Sequence, residues 1–240
     1  MPWARTLSAL LVDCGNTLIR PRGGVGGRYA AVAARHGLHA PEDGVAARFH
    51  DVFGHARTHA RSTGRLAYGT TERDAHAFWR RVVHATFEPW CDREGLREVV
   101  FTELYDHFAD ADAWEIFDDS LPLIDAARAA GVAVAIVSNW DARLPELVAS
   151  LGLDKRVDAV VASYEVGAEK PDPRIFSAAL ARLGSPPPAR VLHVGDSLSE
   201  DYAGARAAGL RALHLDRAAH HADCGDRIRS LAEIPAWLAP

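Results

Sequence analysis

The sequence predicts an α/β fold, with a parallel-sheet core covered by helices on both faces and a helical unit inserted into it. Three observations predict this. Short apolar runs rich in β-branched residues recur along the chain and end in polar groups, amphipathic stretches separate the later runs, and one long early segment has helical periodicity without a convincing strand. Strands alternating with helices imply a parallel sheet buried on both faces.

The runs are Thr6 to Asp13, Val132 to Asn139, Ala159 to Ser163, Arg190 to Asp196 and Leu210 to Asp216. Helical patterns fill the gaps at Leu121 to Ala130, Ala142 to Leu151, Pro173 to Leu183 and Ser199 to Ala208. In such sheets ligands bind beyond the carboxyl ends of the strands, which is where Asp13, Ser138 with Asn139, and Asp196 fall. From about Arg28 to His107 the alternation breaks, and helices are expected at Tyr29 to His36, Pro41 to Arg61, Thr71 to Phe87 and Gly95 to Phe108. Thr70 or Thr71, followed by acids in the first turn, marks a helix start, because hydroxyl and carboxylate oxygens satisfy the orphan N–H groups there. The glycine-rich stretch Gly23 to Gly27 reads as a flexible hinge or flap. The expected organisation is a core of residues 1–20 and 110–240 and a helical unit of residues 21–109. Leu231, Ile234, Trp237 and Leu238 close the chain as a last helix packing on the core.

With 240 residues, 48% hydrophobic and 25% charged, the chain can bury one good core and a smaller accessory unit. A formal charge of −5, from 27 basic and 32 acidic residues, provides no basic field for nucleic acid and leaves a small molecule as the expected partner. No stretch reaches the roughly 18 apolar residues of a membrane span, so no membrane partner and a cytoplasmic location are expected. Three cysteines at unrelated spacings, Cys14, Cys91 and Cys224, suit a reduced compartment rather than a disulfide framework. Lysine occurs only at Lys155 and Lys170.

A carboxylate at the end of a buried strand can attack phosphorus if a divalent cation neutralises the approaching phosphate and donors hold its oxygens. Asp13 is the candidate nucleophile, in a tight turn closed by Thr17. Ser138 can hydrogen-bond a phosphoryl oxygen beside the backbone N–H of Asn139, and Lys170 can place a point charge between nucleophile and phosphate. The segment Gly195 to Asp201 supplies acids at a strand-to-helix turn, suited to octahedral Mg²⁺.

These four motifs, in this order, resemble the haloacid dehalogenase-like hydrolase superfamily, in its branch with a helical cap after the first motif. The resemblance spans nearly the whole chain. The family pattern Asp-x-Asp-x-Thr maps onto Asp13 and Thr17, the Ser/Thr of the second motif onto Ser138, the Lys of the third onto Lys170, and the acids of the fourth onto Asp196 and Asp201. The resemblance implies a Rossmann-like core and a phosphatase acting on a small phosphate ester through an aspartyl-phosphate on Asp13. It implies a Mg²⁺ site of Asp13, the Gly15 carbonyl, Asp196 and Asp201, with Asp201 orienting Lys170 or a metal-bound water. Thr17, Ser138, Asn139 and Lys170 are the implied phosphate contacts, and the chain is expected to act as a monomer or homodimer.

Gly15 departs from the pattern, standing where the second Asp of the first motif is expected. In most family phosphatases that Asp protonates the leaving alcohol and then activates water. General acid–base catalysis is worth roughly 10² to 10⁴ in rate, so the chemistry should be slowed and not abolished, with leaving groups of low pKa suffering least. A phosphonatase-like Schiff base would need a cap lysine, and none precedes Lys155. A 2-haloacid dehalogenase needs no metal, which would leave Asp196 and Asp201 unexplained. Similar helical-cap relatives of unknown substrate also lack the second Asp, and the chain resembles these most. A catalytically decayed protein that binds Mg²⁺ and phosphate, or a partner, is the competing class.

Other residues carry ordinary structural readings. Cys14 reads as buried packing, Asn16 as a left-handed turn residue, and Phe78, Trp79 and Trp90 as the core of the helical unit. His55, His59 and His76 read as a solvated face, and His220, His221, Asp223 and Cys224 match no closed zinc spacing.

Overall fold

The computed structural model describes residues 7–219 and 226–238. His220, His221, Asp223, Cys224 and the Thr6 start of the first run lie outside the described residues, as does the Trp237 side chain. The strands are β1 (Ala9–Val12), β2 (Ile19–Pro21), β3 (Trp114–Ile116), β4 (Ala133–Ser138), β5 (Ala159–Ala162), β6 (Val191–Gly195), β7 (Arg211–Leu215) and β8 (Arg227–Ile228). Six form a parallel sheet in the order β5-β4-β1-β6-β7-β8, and β2 pairs separately with β3.

Two compact units result. The α/β unit draws its described residues from Met1–Arg20, Ile116–Trp140 and Leu144–Pro240, and the helical unit comprises Pro21–Glu115 with Asp141–Arg143. In the helical unit lie α1 (Val25–Arg35), α2 (Glu42–Ser62), α3 (Glu72–Phe87) and α4 (Glu94–His107). In the α/β unit lie α5 (Ser120–Ala129), α6 (Leu144–Ser150), α7 (Ser163–Val166), α8 (Pro173–Arg182), α9 (Gly204–Ala207) and α10 (Pro235–Leu238).

Strand alternation explains the α/β core. Ala9 and Leu11 of β1 and Ala135 and Val137 of β4 pack with Ile175, Phe176 and Ala179 of α8 and Ala205 of α9. The alternate residues Leu10, Val12, Val134 and Ile136 are equally buried, as a two-faced parallel sheet requires. Each such aliphatic side chain contributes about 1.5–3 kcal/mol when fully buried. The chain builds outward from β1 to β4 and β5 on one side, then to β6, β7 and β8 on the other. The strand order therefore reverses at β1, the point of such a sheet where ligands bind.

The helical unit has its own aromatic core. Tyr29 of α1 meets the ring of Phe49 edge-on at 5.1 Å and stacks on Phe87 at 6.0 Å, while Phe78 is buried beside Tyr68. Trp79 stacks on Phe53, and Trp90 is partly buried against the same core. Thr71 caps α3, its hydroxyl accepting the Asp74 N–H at 3.2 Å. His55, His59 and His76 are exposed.

Four expectations need correction. Gly23 and Gly24 make a positive-φ turn, but Gly26 and Gly27 lie inside α1. A Cβ on Gly26 would stand 2.6 Å from the Ala46 Cβ, so this glycine serves close packing of α1 on α2 and not a hinge. Residues 110–115 belong with the helical unit: Trp114 packs on Phe108 and its indole N–H donates to the Phe108 carbonyl at 3.2 Å. Asp141–Arg143 also belong there, because Trp79 Nε1 donates to Asp141 and Arg143 bonds both Asp141 and the Tyr105 carbonyl, so α6 begins only at Leu144. The helix expected over Ser199 to Ala208 is present, but it opens as a π-helix at Leu198–Ala203 before continuing as α9.

Candidate active site

Three strand ends beside the topological reversal place the site. β1 runs into Asp13, whose backbone N–H still donates to the Val194 carbonyl of β6 at 2.9 Å. The loop then folds back on the Cys14 carbonyl, which accepts from Leu18 and Ile19 N–H at 2.8 and 3.0 Å, and Asn16 takes the left-handed step at φ 56°. This closure returns Thr17 beneath the nucleophile position, its hydroxyl 3.3 Å from Asp13 Oδ2. Cys14 is buried, and burial, reinforced by the charge of Asp13, pushes its thiol pKa up, which leaves it inert.

Asp13 Oδ1 accepts from Ser138 Oγ at 2.9 Å and from Lys170 Nζ at 2.6 Å. The ammonium donates further to Asp201 Oδ1 at 2.5 Å and the Val137 carbonyl at 3.0 Å, so three acceptors meet its three N–H bonds. Burial would lower the Lys170 pKa, but Asp13 and Asp201 prevail and hold it above the usual lysine range. Asp201 also meets His193 Nε2 at 2.8 Å and accepts the Ser197 N–H at 3.0 Å. Burial would raise its carboxyl pKa; Lys170 and His193 hold it well below the ordinary value.

Asp196 follows β6, its carbonyl 3.0 Å from His214 Nε2. Carboxylate oxygens of Asp13, Asp196 and Asp201 lie within 4.8 Å of one another. Burial, followed by the charges of Asp13 and Asp201, pushes Asp196 up to about 8, and burial likewise raises Asp13. One lysine thus faces three clustered acids. Hard oxygen donors with surplus negative charge are the set that suits Mg²⁺.

Asp13, Thr17, Ser138, Lys170 and Asp201 form one hydrogen-bonded network, with Asp196 alongside. The Asn139 side chain bonds the Lys170 backbone and Glu200 Oε2, and the phosphate contact expected of this residue is through its backbone N–H. Lys170 and His193 meet Asp201 at Oδ1 and the Ser197 N–H meets it at Oδ2, an arrangement that orients Lys170. One participant was not anticipated. His193 is a buried polar residue within the apolar run of β6, a break in pattern that could have marked it, whereas Glu200 belongs to the acidic segment Gly195 to Asp201 and meets Asn139. Among the described residues no helix is long and apolar enough to cross a membrane.

The hydrolase family described as haloacid dehalogenase-like hydrolase matches residues 7–209. The chain is 35% identical over 205 residues to haloacid dehalogenase-like hydrolase domain-containing protein 3 of Mus musculus, covering 84% of this chain and 78% of that protein. It is 32% identical over 155 residues to a pyrimidine 5'-nucleotidase of Escherichia coli, covering 64% and 65% of the two chains. Among solved structures it shares its fold with an L-2-haloacid dehalogenase from Xanthobacter autotrophicus bearing covalently bound chloropropionic acid. That likeness has a TM-score of 0.70 at 18% identity, over 96% of this chain and 97% of the other. The family match over most of the chain and the relative at 35% identity establish that this protein belongs to the haloacid dehalogenase-like hydrolases.

Proposed function

We propose that the protein is a Mg²⁺-dependent phosphohydrolase of a small phosphorylated metabolite, working through an aspartyl-phosphate on Asp13. The observation that carries this reading is the acid cluster at the nucleophile, Asp13, Asp196 and Asp201 within 4.8 Å against one buried lysine. Displacement of halide from carbon has no use for surplus negative charge there. A phosphate ester held by a cation does. The nucleotidase relative points the same way.

Asp13, Asp196 and the Gly15 carbonyl would hold the ion, with Asp201 fixing Lys170. Bound Mg²⁺ would supply the positive charge that lets a phosphate dianion approach a carboxylate. Ser138 and Lys170 fix the Asp13 carboxylate for in-line attack, and the donors they place on Asp13 Oδ1 would pass to a phosphoryl oxygen as the carboxylate charge is consumed. An Asp13 oxygen bonds to phosphorus as the bond to the leaving oxygen breaks. With Gly15 offering no acid, that oxygen takes its proton from solvent. Water then attacks phosphorus, releasing phosphate and the Asp13 carboxylate, and this step is slow because position 15 supplies no base.

The test is hydrolysis of an aryl and an alkyl phosphate with Mg²⁺ by the parent and Asp13→Asn proteins. Aryl preference, loss of activity in Asp13→Asn and a trapped phospho-protein are expected. Activity that survives the Asp13 substitution, or halide release from a 2-haloacid without metal, overturns the reading.

A further inference from the structure

Gly15 keeps a backbone conformation open to any L-residue, since it is not among the positive-φ positions. Space is what opposes a side chain, because a Cβ there requires the Trp140 ring to give by a few tenths of an ångström. A Cβ at Gly15 would stand 3.2 Å from Cζ3 and 4.0 Å from Cη2 of Trp140, so the benzo ring occupies the direction a side chain would take. Nor is that ring free to withdraw with its backbone. The Trp140 N–H donates to Ser163 Oγ at 3.0 Å, and its carbonyl accepts from Ser163 Oγ at 3.1 Å and from the Tyr164 N–H at 3.3 Å. The preceding residue, Asn139, is held by Lys170 and Glu200.

We propose that Trp140 is a positioning and specificity-determining residue: its indole takes the volume an acid at position 15 would fill and presents apolar surface beside the departing oxygen. The site therefore selects esters with planar, weakly basic leaving groups, aryl or enol, which need no proton and can lie against a ring. This rests on the phosphohydrolase reading, in which position 15 adjoins the leaving group.

The experiment combines Gly15→Asp with Trp140→Ala and, as a milder change lacking the benzo carbons nearest Gly15, Trp140→Phe. In the parent, Gly15→Asp should lower Tm by roughly 3–10 °C through overpacking, and less than half of that loss should remain in either Trp140 background. Trp140→Ala should cut the aryl-to-alkyl ratio of kcat/KM about tenfold, chiefly through KM for the aryl ester. Trp140→Phe should retain most of that ratio. Gly15→Asp should raise alkyl-phosphate kcat by about 10²-fold only when Trp140 is also reduced. Additive Tm shifts, or an aryl-to-alkyl ratio indifferent to Trp140→Ala while Asp13→Asn abolishes activity, overturn the proposal and leave the phosphohydrolase reading standing. Activity that survives Asp13→Asn removes that reading instead, while the Tm cycle still decides whether Trp140 excludes a side chain at position 15.

Discussion

Asn139 and Lys170 hold one another by a reciprocal pair of hydrogen bonds: the Lys170 N–H donates to Asn139 Oδ1 at 2.6 Å, and Asn139 Nδ2 donates to the Lys170 carbonyl at 2.9 Å. The second amide proton goes to Glu200 at 2.9 Å. The end of β4 is thereby registered against the segment that carries the ammonium. Asn139→Leu would leave buried backbone groups and a carboxylate without these partners, at about 1–3 kcal/mol for each group left unsatisfied. Urea unfolding should show this loss, and kcat should fall about 10- to 100-fold with a smaller change in KM, because Lys170 is mispositioned.

Lys170 bonds two acids of this cluster, and its three N–H bonds are all used. Lys170→Met should abolish measurable activity and cost about 3–5 kcal/mol near neutral pH, since breaking a buried pair leaves Asp13 and Asp201 uncompensated. The sign with pH follows from Asp201, whose folded pKa is depressed by Lys170 and His193. Its stabilisation is present above the unfolded pKa of about 4 and is lost as pH falls through the folded value. The parent-minus-variant difference should therefore narrow on acidification. A constant gap from pH 8 down to pH 3 would contradict the coupling.

Asp196 runs the other way. Its pKa, raised to about 8, means that the metal-free folded protein keeps a proton that the unfolded chain has released between about pH 4 and pH 8. Stability without metal should thus decline as pH rises through that window. A cation binding there expels the proton, so the Tm gain from Mg²⁺ should be larger at pH 8 than at pH 6, and Asp196→Asn should remove most of it. Differential scanning calorimetry with and without Mg²⁺ reads both effects. A gain of equal size at both pH values would place the ion elsewhere.

What could be read from sequence followed short-range pattern. Apolar runs closed by Asp13, Ser138 and Asp196 announced three parallel strands, and strands of that kind converge their ends on one site. Where the reading missed, distant partners or backbone irregularity decided. The use of Gly26 depends on Ala46, twenty residues away on another helix, and glycine looks the same whether it supplies flexibility or close approach. The π-helix at Leu198–Ala203 carries both Glu200 and Asp201 inward, to Asn139 and Lys170, a placement that a 3.6-residue period does not reveal. Ala142 and Arg143 read as the start of a helix, yet Trp79 and Tyr105, far off in sequence, claim Asp141 and Arg143.

Asp119 offers a last test, because it ties the end of the chain to the nucleophile loop within the α/β unit. Its carboxylate accepts from Arg217 Nη1 and Nη2 at 2.9 and 2.8 Å, from Ser230 Oγ at 2.6 Å and from the Leu231 N–H at 3.0 Å. Arg217 also donates to the Thr17 carbonyl at 3.0 Å and lies 3.9 Å from the Phe117 ring centroid. Asp119→Ala should cost about 2–4 kcal/mol, as several charge-assisted bonds are lost together and a half-buried guanidinium loses its partner. Burial would raise the Asp119 pKa, but Arg217 and Ser230 outweigh it and hold it low. The cost should accordingly be steady from about pH 6 to pH 8 and fade as pH falls below about 4, where the parent carboxylate is itself being neutralised. Arg217→Met removes the Thr17 contact as well, so it should lower kcat more than Asp119→Ala at a comparable loss of stability. Equal kcat values for the two variants would mean that the contact with Thr17 does not position the loop.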